Sequence, residues 1–198
     1  DFIDALSHAF ATLGTGGFST RNASIGAYQS GAIDAVCTVF MFLAGINFSL
    51  YYYVFMREFS EITANSEFKA YTAFTVSVAI ALTLATRTFY GSWGSAFRYS
   101  SFQTATILTT TGFATADYTL WPPCAQFFIL LLFFVGGSSG STAGGVKVIR
   151  WGILLKQFKN ETRKMLHPHG VFAIRLNGNA SRKDIVFNVA AFMVLYFL

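Results

Sequence analysis

ILTTTGFATAD, residues 107–117, places three threonines and a glycine in the middle of a chain that is otherwise strongly apolar. Ninety-five residues earlier the pattern returns: Thr15, Gly16, Gly17, Phe18, Ser19 and Thr20 align with Thr110, Thr111, Gly112, Phe113, Ala114 and Thr115, sharing Thr, Gly, Phe and Thr. Each copy follows a short, mostly apolar, helix-compatible run and precedes a longer one. The sequence therefore carries an internal repeat of helix, polar loop, helix.

Composition says where such a unit can exist. The chain is 54% hydrophobic, 18% aromatic and only 12% charged, with a mean hydropathy of +0.50; soluble domains carry about 25% charged residues. This is membrane composition. Non-helical backbone at membrane depth costs several kcal/mol for each unpaired carbonyl, so it persists only where it is buried or lines a water-filled path. A loop of carbonyls facing such a path is a cation site. Glycine at 17 and 112 supplies the positive φ that lets successive carbonyls face one way, and the threonine hydroxyls add oxygens without charge. The C-terminal end of a short helix aimed at the loop adds partial negative charge.

At these residues the chain resembles the TrkH/KtrB family of potassium transporters. The resemblance rests on TLGTGGFSTR (12–21), FLAGINFSLYY (42–52), ILTTTGFATADY (107–118) and GGSSGSTAGGVKVIR (136–150), four motifs in order across nearly the whole chain. It implies an all-α polytopic membrane protein in which a helix, pore-helix, helix unit occurs four times around a pseudo-fourfold pore. Two of the four filter segments are present, so the chain is expected to be a piece of a longer protein. It divides as 1–58, the second repeat's pore helix, filter loop and following helix; 59–165, the third repeat; and 166–198, a cytoplasmic loop and the start of the fourth.

The filter residues expected on this basis are Thr15, Gly16, Gly17 and Phe18 in one loop and Thr110, Thr111, Gly112 and Phe113 in the other, binding K⁺ through backbone carbonyls. Both phenylalanines are expected to wedge behind their loops. With one shared glycine per loop, the filter should be less regular than TVGYG and its potassium selectivity imperfect. The resemblance further implies a gate at 136–147, where five glycines and four hydroxyl residues interrupt an apolar run; its residues are Gly136, Gly137, Gly140, Gly144, Gly145 and Lys147. It also implies a homodimer, a cytoplasmic nucleotide-binding regulatory subunit of the TrkA or KtrA type, and a cell (inner) membrane location. A sodium-selective or sodium-coupled member of the same superfamily is the alternative.

Between the motifs, residues 33–55 read as one full crossing, 57–69 as a charged loop, 71–89 as the return crossing and 92–101 as the descent into the second pore helix. Asp1 and Asp4 suit the first turn of the first pore helix. Arg87 should snorkel at the outer interface, Arg98 should anchor at the outer surface, and Trp121 should sit at the interface ahead of Pro122 and Pro123. Asn47 and Ser49 read as interhelical hydrogen-bonding residues.

Charge and the remaining motifs exclude other classes. Nine of fourteen Lys and Arg fall between 147 and 183, beside membrane segments, which marks a cytoplasmic basic loop over 156–183 by the positive-inside rule and not a nucleic-acid surface. Cys37 and Cys124 form neither a disulfide framework nor a metal spacing. The chain opens without a charged leader region. The 136–147 stretch lacks the Gly-Lys-Ser/Thr of a phosphate loop. Gly137, Ser138, Ser139 and Gly140 match the G-x-S-G of rhomboid-like intramembrane proteases, but His8, His167 and His169 are not placed to activate Ser139. The last two flank Pro168 in a solvated loop without metal spacing. No enzyme activity and no cofactor beyond the transported ion are expected.

Overall fold

A computed structural model of the chain describes residues 1–167, 175–176, 179–180 and 183–198; Pro168, His169 and most of the expected basic loop lie outside them. Its helices are α1 (Phe2–Leu13), α2 (Gly31–Ala44), α3 (Phe48–Phe55), α4 (Phe59–Ala64), α5 (Ser66–Tyr90), α6 (Trp93–Leu108), α7 (Pro123–Leu132), α8 (Val148–Leu166) and α9 (Lys183–Phe197). A two-residue antiparallel pairing of 175–176 with 179–180 is the only strand structure among the described residues. The architecture is that of an all-α polytopic membrane protein.

The faces of α5 explain why lipid suits it. Thr75, Ala79, Thr83 and Thr86 point inward, and the three threonine hydroxyls donate to the carbonyls of Tyr71, Ala79 and Leu82 one turn back. Val76, Ile80 and Leu84 are half exposed on the other side. Small and hydroxylated residues inside with branched apolar residues outside is the packing expected where the solvent is hydrocarbon. Among the described residues, α5 is the one helix long and apolar enough to cross a bilayer alone. The second pore helix, α6, packs along it, with Thr86 and Ser100 sharing a hydrogen bond of 3.0 Å. From Phe102 to Thr109 the chain is completely enclosed.

The expected single crossing over 33–55 is broken. α2 and α3 meet at 97° across Gly45, Ile46 and Asn47, and the carbonyls from Phe42 to Gly45 all find partners. Tyr71 Oη donates to the Phe42 carbonyl (3.0 Å) and Tyr51 Oη to that of Leu43 (2.7 Å). The Thr142 hydroxyl donates to the Ala44 carbonyl (3.2 Å) and the Ser138 N–H to that of Gly45 (2.9 Å). The Phe48 N–H donates to the Gly140 carbonyl (3.0 Å). Asn47 caps α3 by accepting from the Ser49 N–H. The glycine-rich loop thus fills the bend, satisfying the accounting that buried backbone demands.

Other expectations shift for equally local reasons. The basic loop begins later than residue 156, because α8 runs on to Leu166, and the charged 57–69 loop contains α4 and the start of α5. Trp121 is buried, its Nε1 donating to Tyr90 Oη (2.9 Å). Arg98 is tied into the protein, its Nε donating to Asp34 Oδ2 at 2.7 Å and joining α6 to α2. Arg87 stacks over the exposed Trp93 ring at 4.3 Å.

Candidate functional site: two threonine–glycine loops over a glycine-rich plug

The 15–18 and 110–113 loops are built alike. Left-handed φ falls on alternate residues, Thr15 (49°) and Gly17 (67°) in one, Thr110 (57°) and Gly112 (84°) in the other. The N–H groups turn back onto the ends of α1 and α6: Thr15 to Thr12, Gly16 to Ala11, Thr110 to Ile107, and both Thr111 and Gly112 to Thr106. Among the described residues, the carbonyls of Thr15, Gly16, Gly17, Thr110, Thr111 and Gly112 accept no hydrogen bond. Donors tied backward and acceptors left unpaired make each loop a strip of oxygen ligands, and the negative helix end behind it adds to the field.

The loops lie side by side. A Cβ on Gly17 would collide with the Thr111 carbonyl. Past the second loop, the Ala114 carbonyl accepts from the Gly26 N–H (2.9 Å) and the Ala114 N–H donates to Ser24 Oγ (3.2 Å), so the chain leaving the first loop braces the second.

The two phenylalanines differ. Phe113 is 1% exposed, wedged among Ile25, Cys37, Met41, Phe102 and Ala105, and its carbonyl accepts from the Thr106 hydroxyl at 2.9 Å. Phe113 is held by α2, from the repeat before its own, together with α6. Phe18 is 81% exposed among the described residues, which hold no repeat before its own to supply the corresponding helix.

Sequence reasoning missed a polar cluster behind the first loop. Asp4 is not merely a helix-dipole acid: its carboxylate accepts from the hydroxyls of Thr20 and Tyr28, with Arg21 at 3.7 Å. His8 Nδ1 donates to the Asp4 carbonyl (2.7 Å) and Nε2 pairs with Ser19 Oγ (2.8 Å). Asp4, His8 and Thr12 are the buried residues of α1, a polar i, i+4, i+8 stripe on an apolar helix that the sequence already displayed. Beyond the second loop, Asp117 is held below the usual carboxylate range by the Thr119 hydroxyl and then its N–H, keeping a negative charge beside that loop.

The glycine-rich loop closes on itself at its neck. The Gly136 N–H donates to Val146 (2.7 Å) and the Val148 N–H to Gly137 (3.1 Å). Gly140 and Gly145 take left-handed φ of 69° and 71°, while Gly136, Gly137 and Gly144 are needed for close approach to Gly144, Ala143 and Thr110 respectively. The Lys147 ammonium folds back onto the Ala143 carbonyl. The buried Glu67 of α5 accepts from the Ser139 N–H at 2.6 Å. The plug reaches both loops: the Thr15 hydroxyl donates to the Thr142 carbonyl, and the Gly144 N–H donates to Thr110 Oγ1. All the expected site residues except the Phe18 side chain thus belong to one connected assembly.

A family model described as a cation transport protein, TrkH, matches residues 1–90 and 90–198. The chain belongs to the TrkH family. Among curated relatives, it is 35% identical over 210 residues to the Trk system potassium uptake protein TrkH of Halomonas elongata, covering 100% of this chain and 42% of that protein. It is 34% identical over 201 residues to the protein of that name in Escherichia coli K12, with the same coverage. The crystal structure of the potassium transporter TrkH from Vibrio parahaemolyticus superposes with a TM-score of 0.90 at 34% identity, covering 98% of this chain and 42% of that one. This TrkH family chain therefore spans about two fifths of the length of these relatives.

Proposed function

We propose that this chain supplies two adjoining quarters of a potassium pathway in the membrane subunit of a Trk-type uptake system, with Thr15 to Phe18 and Thr110 to Phe113 as filter segments and 136–147 as the gate beneath them. The observation that carries this reading is the pair of adjoining loops with unpaired carbonyls and alternating left-handed backbone. Six such oxygens in hydrocarbon would be untenable without a cation or water path to face. Replacing an ion's hydration shell with carbonyls is how backbone filters select and conduct. The activity for which the relatives are named, potassium uptake, supports the choice of ion.

The finer organisation accords with the same reading. Residues 1–58, 59–165 and 166–198 belong to the second, third and fourth repeats of a multi-pass inner-membrane protein. It assembles as a homodimer with a cytoplasmic nucleotide-binding regulatory subunit. Lys159 and Arg163, on α8 beyond the plug, are the residues to reverse in charge when testing that contact. The protease reading loses ground, because His8 pairs with Ser19 and not with Ser139.

The deciding experiment is cation flux through the full-length protein in liposomes, comparing potassium, rubidium and sodium, with Gly112→Ser alongside. Potassium and rubidium flux whose preference over sodium collapses in the variant is the expected result. Flux indifferent to Gly112 would return the loops to structural turns. A preference for sodium in the unaltered protein would make the sodium-selective alternative the right one.

A further inference from the structure

The plug is bonded to the filter loops through the hydroxyl oxygens nearest to it. Thr110 Oγ1 accepts the Gly144 N–H at 2.7 Å. The Thr15 hydroxyl donates to the Thr142 carbonyl at 2.9 Å while lying 2.8 Å from its other acceptor, the Gly14 carbonyl. The Thr142 hydroxyl in turn reaches the carbonyls of Leu13 (3.0 Å) and Ala44 (3.2 Å), clamping the plug to the end of the first pore helix and to the bend after α2. At Gly144 a Cβ would stand 2.9 Å from Thr110 Oγ1, so only glycine brings its N–H this close.

A hydroxyl at the start of a carbonyl strip is the next oxygen an ion meets. The lone pair that accepts an N–H is not available to a cation, and the positive end of that N–H repels a cation from the second lone pair. Resting on 136–147 as the gate, we propose that the docked plug and a monovalent cation compete for the Thr110 hydroxyl oxygen, so that the transported ion itself favours withdrawal of the gate. By linkage, a change that loosens the plug tightens cation binding by up to the same factor.

The test uses the full-length protein and potassium chloride. Thr142→Val removes the clamp donor without touching the contested oxygen; a hydrogen bond of ordinary strength predicts an apparent potassium affinity tighter by up to about fivefold in titration calorimetry. Thr142→Ser, which keeps the donor, should bind as the unaltered protein does. In parallel, a thiol reagent should label Ser141→Cys faster as potassium is raised, and not when choline replaces it at equal ionic strength. Unchanged affinity in Thr142→Val with raised flux would overturn the competition and leave the gate standing. Unchanged affinity with unchanged flux would remove the gate reading as well. If Thr142→Val does not fold, the labelling decides: a rate indifferent to potassium overturns the proposal.

Discussion

Gly17 and Gly112 occupy the same place in the repeat and share a left-handed backbone. At Gly17 an added Cβ would press within 2.9 Å of the Thr111 carbonyl carbon on the neighbouring loop, and in a fourfold ring Gly112 would face the fourth repeat's loop in the same way. Gly17→Ser must therefore bear the cost of a non-glycine left-handed residue, about 1–2 kcal/mol, and move a neighbouring loop as well, and should reduce the yield of folded protein, measurable by size-exclusion chromatography in detergent. Recovery equal to that of the unaltered protein would show that the loops do not abut. The need for glycine at both positions was legible from the repeated motif; the contact between the loops was not, because a one-dimensional repeat says nothing of how its copies meet. The Asp34–Arg98 pair escaped for the same reason, its partners being sixty-four residues apart, while the Asp4, His8 and Thr12 stripe could have been found from helical spacing alone.

At the scale of elements, the bend between α2 and α3 and the glycine-rich plug are two halves of one construction. The sequence exposed the plug through its glycines, but apolar residues on both sides disguised the bend as one continuous crossing. Periodicity registers side chains, and the bend is stabilised by backbone groups: the carbonyls of Phe42 to Gly45 all find partners across it. Gly45 sits where a Cβ would fall 2.9 Å from both Thr109 Cγ2 and Tyr71 Cζ. Gly45→Ala should therefore force Tyr71 aside, combining overpacking with loss of its bond to the Phe42 carbonyl, a destabilisation of roughly 3 kcal/mol. Tyr71→Phe, which removes the bond alone, should cost about 1 kcal/mol. Thermal unfolding of the full-length protein in detergent checks the order of the two. An alanine tolerated as well as phenylalanine would mean that the bend has room to spare.

For the whole molecule, the consequence is that a pathway built from repeats is not built from equal ones. Thr106 of α6 captures the Phe113 carbonyl, and the residue ninety-five positions earlier, Ala11, has no hydroxyl with which to do the same to Phe18. The first loop therefore presents four successive carbonyls without a hydrogen-bonding partner among the described residues and the second only three. Selection by a ring of carbonyls depends on how many oxygens surround the ion and how strongly each acts, so a ring with unequal quarters should pass a measurable sodium current beside potassium. Thr106→Val keeps the shape of the buried side chain and frees the Phe113 carbonyl, bringing the second loop closer to the first. Its potassium-to-sodium permeability ratio, read from bi-ionic reversal potentials of the full-length protein, should rise, by about fivefold if the freed bond has ordinary strength. A fall in the ratio would mean that Thr106 is instead a brace holding the strip in register, and that the inequality between the loops is not what admits sodium.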